Sequence, residues 1–424
     1  MRVTVSRSVL DGAVRAPPSK SVTHRALVCS ALAYGESTVL NPLESDDTRA
    51  TVEALRALRV EVEESPGLLR VRGGPLEVAL DVINCGESGT TMRFMTAVCT
   101  LAQGRCTLTG GRSLLRRPVG PLVKALNMLG ASVTCRAGLP PVFVDGRGRL
   151  PGGSARMPGD VSSQFVSAIL LSAPRAEEGV DLKLTTPLVS RPYVELTMHV
   201  QRLFGVRVEA SGGFSRFLVE PQEYRPTTVR VEGDWSSASV MLSAGALAGR
   251  VIVEGLNPES PQPDRRVVEI LREMGASVHV SGERVVVESG DLRAVDVDLS
   301  DCPDLFPVLA ALCSYAEGVS VLRGVSRLRF KESDRVRAME RALRAMGVDV
   351  SVFGDTMRIR GGRPRGAVLD PMGDHRVAMA LAVASLKADG VSTILDAECV
   401  SKSYPNFWRD LKNLGARLEF HVGG

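Results

Sequence analysis

Lysine is scarce in this chain: of 52 basic residues only seven are lysine, at positions 20, 124, 183, 331, 387, 402 and 412. Where arginine is the default cation, a lysine marks a place suited to a compact ammonium instead of a planar fork. Three of the seven stand in polar motifs. PPSKSVTHR (17 to 25) carries Lys20, Ser21 and Arg25, RFKESDR (329 to 335) carries Lys331, Glu332 and Arg335, and SKSYPNF (401 to 407) carries Lys402. DHR (374 to 376) sets Arg376 at the head of the apolar run VAMALAVASL, and NCGESGTTMR (84 to 93) places Gly89 in a glycine-rich stretch. That stretch lacks the P-loop spacing and no GxGxxG occurs, so nucleotide binding has little support. Turn amides, hydroxyls and cations gathered at helix starts suit anions such as phosphate. RFKESDR alone could equally be a solvated charged face, although helical spacing would bring Lys331 and Arg335 together.

The elements that must position these groups are six similar helix starts. In GDVSSQF (159 to 165) a Gly-Asp turn gives way to two serines and then to FVSAILLSA, which reads as a buried helix with Asp160 or Ser162 as its N-cap. GDWSSASVMLSAGALA (233 to 248) repeats the pattern, and looser copies begin at Ser19, Gly86, Asp301 and Gly373. One such start is explained by capping alone; six need a common explanation.

Each capped helix is followed by strand-like sequence and a second, amphipathic helix that ends in a shared signature. Copies include ALNMLGASV (125 to 133), VQRLFGVRV (200 to 208) and RALRAMGVDV (341 to 350), and the closing glycines 130, 205, 275, 347 and 415 recur every 68 to 75 residues. Glycine after a last apolar turn is a helix C-cap. EALRALRVEV (53 to 62) is a sixth copy, with Arg59 in the glycine's place. A period near 70 exceeds the roughly 20 to 50 residues of solenoid repeats, so six units imply two globular domains of three units each. The proline-rich PQEYRP (221 to 226) marks the expected division, giving domains of residues 16–226 and 227–424. The first strand, RVTVSR (2 to 7), has no unit of its own and is expected to complete the last domain, so that segment 1–15 joins it and the chain crosses twice, a hinge.

Composition excludes several functions. With 44% hydrophobic and 24% charged residues the chain is globular, and no apolar run reaches the roughly 18 residues of a membrane span. MRVTVSRSVL lacks the apolar core of a signal peptide. Eight scattered cysteines form no CxxC pair and five histidines stand apart, so no metal ligand set can be assembled. A net charge of +4 and 4% aromatics argue against an extended nucleic-acid surface. The expected protein is a cytoplasmic monomer without cofactor, nucleic-acid partner or membrane association.

Taken in order, PPSKSVTHR, ESDDTR (44 to 49), SGTTMR (88 to 93), RRP (116 to 118), GDVSSQF, SRPY (190 to 193), RFKESDR, DHR and CVSKSYPNF resemble the 5-enolpyruvylshikimate-3-phosphate synthase family from about residue 15 to 408. The resemblance implies an α/β enolpyruvyl transferase fold. Its two similar domains each hold three βαβαββ units arranged as an inside-out α/β barrel, with the active site in the cleft between them. It implies transfer of the enolpyruvyl group of phosphoenolpyruvate to the 5-hydroxyl of shikimate 3-phosphate, through a tetrahedral intermediate and without a metal.

By the same resemblance, Lys20, Ser21, Arg25, Ser162, Ser163, Gln164, Ser190 and Tyr193 would hold shikimate 3-phosphate, helped by Asp304 and Lys331. Lys20, Gly89, Arg117, Gln164, Arg335, Arg376 and Lys402 would hold phosphoenolpyruvate. Asp304 would be the base near the 5-hydroxyl and Glu332 the proton donor to the methylene carbon, with Lys20 also placed to move protons. Two positions depart from the family pattern. Glu87 replaces a usual asparagine, putting a negative charge near the phosphoenolpyruvate site, and Arg327 stands where some members have an asparagine that binds shikimate 3-phosphate. The nearest enzymatic rival is UDP-N-acetylglucosamine enolpyruvyl transferase, against which PPSKSVTHR, RFKESDR and the lack of a reactive-cysteine loop all speak. The rival of another class is a polyanion or RNA binder.

Overall fold

A computed structural model describes residues 1–421. The chain divides into two compact units, Pro18–Val231 (the first unit) and Met1–Pro17 with Glu232–Gly424 (the second unit).

Each unit contains the same pattern three times. In the second repeat, strand Val82–Asn84 leads into helix Gly89–Val98, strand Gln103–Thr109, helix Gly120–Met128 and the antiparallel pair Val133–Arg136 and Leu139–Arg147. Its four strands lie in the order first, second, fourth, third, with the first pair parallel and the others antiparallel. All six sheets of the described residues have this order, although three borrow a strand from elsewhere in the chain. Thr228–Arg230 supplies the first strand of the first repeat, parallel to Gly35–Leu40. Leu10–Arg15 does the same for the fourth repeat, beside Gly249–Glu254. Arg2–Ser6 is the last strand of the sixth, antiparallel to Ser392–Ile394 and Arg417–His421. The chain therefore leaves the first unit after Val231, because three residues beyond PQEYRP still pair within its first sheet.

The first helices of the repeats, such as Ser163–Ser172 and Trp235–Ala248, are buried on nearly every side. In the second unit Trp235–Ala248, Phe306–Cys313 and His375–Ser385 pack on one another, and in the first unit Gly89–Val98 packs on Lys20–Leu32 and Ser163–Ser172. A helix that is apolar all round belongs in a core. The sheets cover these helices and face water on their other side, so their strands alternate buried and exposed residues, as in Thr356–Arg360. The second helices, such as Arg191–Leu203 and Arg335–Ala345, bury one face only.

The helix starts follow the expected capping with one exception. Ser19, Ser88, Ser162, Asp234 and Asp374 each accept a first-turn amide, which makes Ser162, not Asp160, the cap in GDVSSQF. The helix expected from Asp301 instead begins at Phe306, after a 3-10 turn Pro303–Leu305, with no side-chain cap. Prolines 303 and 307 lack the amides that a cap would satisfy. The closing glycines all adopt left-handed backbone, φ from 81° to 107°, and Arg59 adopts it too, at 61°.

Candidate active site

In the first unit the polar motifs meet at the starts of the inner helices. Lys20 is the first residue of helix Lys20–Leu32, and its ammonium donates to Asp47 Oδ2 at 2.9 Å with both side chains largely buried. Asp47 is held by a capping box of Ser45 and Thr48 at the start of helix Asp46–Arg56. One turn beyond Lys20, Arg25 is pinned on three sides. Its Nε donates to Thr197 Oγ1 at 2.7 Å, Nη1 to the Ser21 carbonyl at 2.9 Å and Nη2 to the Tyr193 carbonyl at 3.0 Å, and its guanidinium lies 5.3 Å over the Phe94 ring. Burial lowers Arg25 to about 10, which leaves it charged at neutral pH. Tyr193 and Thr197 are one turn apart on Arg191–Leu203, and Ser190 precedes that helix, buried in left-handed backbone (φ 52°).

The glycine-rich stretch joins the same network. Gln164 Nε2 donates to Thr90 Oγ1 at 3.1 Å, tying the Ser162–Ser163 helix start to Gly89. A Cβ on Gly89 would lie 2.6 Å from Arg117 Nη2 and would also overlap Arg93, so any side chain there would push the two guanidiniums from their places. Behind this surface runs a buried hydrogen-bond chain, His24 Nδ1 to Thr51 Oγ1 (2.7 Å), Thr51 to Thr91 (2.7 Å) and Thr91 to the Ser88 cap (2.7 Å). Burial, with Lys20 and Arg25 nearby, holds the His24 imidazole well below its ordinary value, so it is neutral there.

The second unit gathers the other candidates around two residues, Asp304 and Arg335. Arg335, 1% exposed, donates to three carboxylates: Asp374 at 2.7 Å, Asp304 at 2.8 Å and Glu332 at 2.7 Å. Asp304 also faces Arg376 Nη2 at 3.1 Å and Lys331 Nζ at 3.9 Å. Burial pushes the Asp304 carboxyl up, but Arg376, Lys331 and Arg335 together outweigh burial and hold it well below the usual carboxylate range. Burial lowers Lys331 to about 8, against the pull of Asp304. Lys402 Nζ donates to the Gly373 carbonyl at 2.9 Å, beside the DHR motif.

One local expectation is corrected here. Lys331 and Arg335 do not share a helix face, because Asp334 caps a helix that starts only at Arg335 and Lys331 precedes it in a turn. Both cations still reach Asp304, by tertiary placement instead of helical spacing. Among the described residues no group of His, Cys, Asp and Glu is arranged to hold a metal ion.

Several groups in these clusters were not singled out from sequence. Asp47 lies in ESDDTR and Asp374 in DHR, but neither motif shows that the carboxylate orders a neighbouring cation. Asp264 is buried, receives the Ser236 hydroxyl, and is raised to about 7 by burial and by the charge of Asp304. Its local sequence, PQPDRR, resembles an ordinary helix start. Arg327 donates to the Ser300 carbonyl.

The sequence model of the family described as EPSP synthase (3-phosphoshikimate 1-carboxyvinyltransferase) matches residues 5–411. The chain belongs to the EPSP synthase family. Curated 3-phosphoshikimate 1-carboxyvinyltransferases from Aeropyrum pernix and Methanocorpusculum labreanum are 46% and 44% identical to it. The first alignment covers 100% of this chain and 98% of the relative, the second 99% of each. The EPSP synthase structure from Acinetobacter baumannii superposes with a TM-score of 0.82 at 28% identity, covering 99% of this chain and 100% of that one. An enolpyruvyl transferase from Streptomyces tendae, 19% identical over 99% of this chain and 98% of its own, shares the fold at a TM-score of 0.79. The α/β architecture of repeated βαβαββ units is thus the enolpyruvyl transferase fold of an EPSP synthase family member.

Proposed function

We propose that the two clusters divide the work of one reaction, the transfer of the enolpyruvyl group of phosphoenolpyruvate to shikimate 3-phosphate with release of phosphate. The transfer follows from family membership; the division of labour is our reading, and the observation that carries it is the set of carboxylates held around Arg335.

In this reading Lys20, Ser21, Arg25, Ser162, Ser163, Gln164, Ser190 and Tyr193 hold shikimate 3-phosphate, with Asp304 and Lys331 assisting. The guanidinium of Arg25 is fixed by hydroxyl and carbonyl partners, an arrangement that orients a cation without neutralising it. Lys20, Gly89, Arg117, Gln164, Arg335, Arg376 and Lys402 hold phosphoenolpyruvate. Its carboxylate binds by exchange, replacing Asp304 on Arg376 and competing with Asp304 and Glu332 on Arg335, since a guanidinium fork accepts a carboxylate in two-point geometry.

That exchange would prepare the proton chemistry. While Arg376 and Arg335 face it, Asp304 is a poor base; when they turn to the incoming carboxylate its basicity rises. Asp304 then takes the proton of the 5-hydroxyl as that oxygen bonds to C2 of phosphoenolpyruvate. Glu332, released by Arg335 in the same exchange, takes up a proton from solvent and passes it to the methylene carbon, which becomes a methyl group. The tetrahedral adduct then loses phosphate, which departs with the proton held by Asp304, while a methyl proton returns to the Glu332 carboxylate and the double bond is restored. Fixed cations stabilise the charge on the phosphate oxygens throughout.

The working state in this proposal is a cytoplasmic monomer. Seven of the eight cysteines are buried as free thiols, which suits a reducing compartment, and no assigned residue has to come from a second copy. None of the described helices is long and apolar enough to cross a membrane. The test is direct: purified protein should release phosphate only when both substrates are supplied, and exhaustive chelation should not slow it. Release with UDP-N-acetylglucosamine as acceptor, or a rate restored by a divalent ion, would contradict it.

A further inference from the structure

The position that departs from the family pattern beside Gly89 has partners that give it a task. Glu87 does not project a spare charge: its Oε2 accepts the Ser113 hydroxyl at 2.5 Å and the Leu114 amide at 3.0 Å, and its Oε1 accepts the Ser113 amide at 3.4 Å. These donors open the 3-10 turn Leu114–Arg116, which no side chain of its own segment caps. A carboxylate from another loop therefore satisfies amides that the turn leaves unpaired.

The backbone around Glu87 is registered against the same segment. Cys85 N donates to Thr109 O at 2.8 Å and Gly111 N to Gly86 O at 2.7 Å. A Cβ on Gly111 would overlap Glu87 Oε1, so the close approach of carboxylate to chain depends on glycine there. Arg117 follows the capped turn directly, with its amide bonded to Leu114 O at 3.0 Å, and its guanidinium returns to lie against Gly89, two residues from Glu87. The circuit from Glu87 through Ser113, Leu114 and Arg117 back to Gly89 is closed.

We propose that Glu87 is a positioning residue for Arg117, fixing the 113–117 turn so that the guanidinium is held over Gly89. The proposal rests on the assignment of Arg117 and Gly89 to phosphoenolpyruvate. An asparagine, one methylene shorter, would extend less far toward the turn. Positioning matters because small misplacements of a binding group lower affinity and rate steeply.

Steady-state kinetics on Glu87→Ala, Glu87→Gln, Gly111→Ala, Arg117→Ala and the Glu87→Ala/Arg117→Ala pair test this. Glu87→Ala should raise KM for phosphoenolpyruvate about tenfold, the effect of losing charge-assisted hydrogen bonds. KM for shikimate 3-phosphate and Tm should change little. Glu87→Gln should recover part of the loss, because its amide oxygen can still accept the Leu114 N–H. Gly111→Ala should reproduce the defect with Glu87 intact. The double variant should be no worse than Arg117→Ala, since one residue acts through the other. If Arg117→Ala raises KM for phosphoenolpyruvate and Glu87→Ala does not, or if the two losses multiply in the double variant, the positioning role is overturned. If Arg117→Ala itself leaves that KM unchanged, the phosphoenolpyruvate assignment fails and takes this proposal with it.

Discussion

The two units repeat one fold but surround their buried arginines, Arg25 and Arg335, in opposite ways. In the first unit Arg25 is held by a threonine hydroxyl and two backbone carbonyls, so its positive charge stays uncompensated by those partners. In the second unit Arg335 meets three carboxylates, and Asp304 alone faces three cations. The first arrangement is a receptor that a phosphate can complete. The second is already paired; in the proposed reaction an anion enters it by displacing a resident carboxylate, which then becomes able to move a proton. In the proposed reaction the Arg25 arrangement serves binding and the Asp304–Glu332–Arg335 arrangement serves proton transfer, according to whether the arginine is held by neutral or by acidic partners.

The largest effect should come from breaking the pairing of the second unit. Asp374→Ala removes both the cap of helix His375–Ser385 and the carboxylate nearest Arg335 Nε, and should cost about 3 to 5 kcal/mol in urea unfolding, the usual cost of stripping one partner from a buried ion pair. A loss below about 1 kcal/mol would show that Glu332 and Asp304 suffice.

Next come Asp304→Asn and Glu332→Gln, which keep size but remove the ionisable group. Turnover should fall by roughly 10² or more in each, with smaller changes in KM. Asp304 also links stability to pH. Its folded-state carboxyl is depressed, so its contribution is present above the ordinary carboxylate range and is lost as pH falls through the folded value. Wild type should therefore lose stability in acid more steeply than Asp304→Asn, and parallel acid-unfolding curves would contradict the pairing.

Smaller still is the pH response of shikimate 3-phosphate binding. Lys331 is lowered to about 8, so it is charged below that pH and neutral above it. kcat/KM for shikimate 3-phosphate should decline as pH rises through about 8, and Lys331→Arg, which stays charged, should flatten the decline. An unchanged profile in Lys331→Arg would move the titration to another group.

The smallest effect tests the repeat itself. Arg59 occupies the left-handed C-cap position that glycine fills in the five other repeats, and its side chain makes an exposed ion pair with Glu77 at 3.3 Å. Arg59→Gly should stabilise the protein by about 1 kcal/mol. A lower unfolding midpoint would mean that the ion pair outweighs the backbone strain.

Much of this was legible in the sequence because it is local. A glycine C-cap after an apolar turn, a serine before a buried helix and a cation in the next turn are short-range signals, and they located every repeat and most of the helix starts. The borrowed strands were less legible. Thr228–Arg230 is three residues long, too short to show an alternating pattern, and its partner lies almost two hundred positions away. The acidic partners were hidden for a related reason: Asp47, Asp264 and Asp374 look like ordinary N-terminal helix residues until folding brings Lys20, Ser236 and Arg335 to them. RFKESDR misled in the other direction, since its charges have helical spacing but its Asp334 starts the helix only at Arg335.

The proposed assignment of proton transfer to Glu332 of the second unit can be tested by deuterium exchange into the methylene group of phosphoenolpyruvate, followed by NMR in heavy water with shikimate 3-phosphate present at saturation. Glu332→Gln should abolish most of the exchange, whereas Arg25→Ala, once saturated with substrate, should exchange at nearly the wild-type rate. Exchange at the wild-type rate in Glu332→Gln would contradict the account and make Lys20, in the first unit, the better candidate for the proton donor.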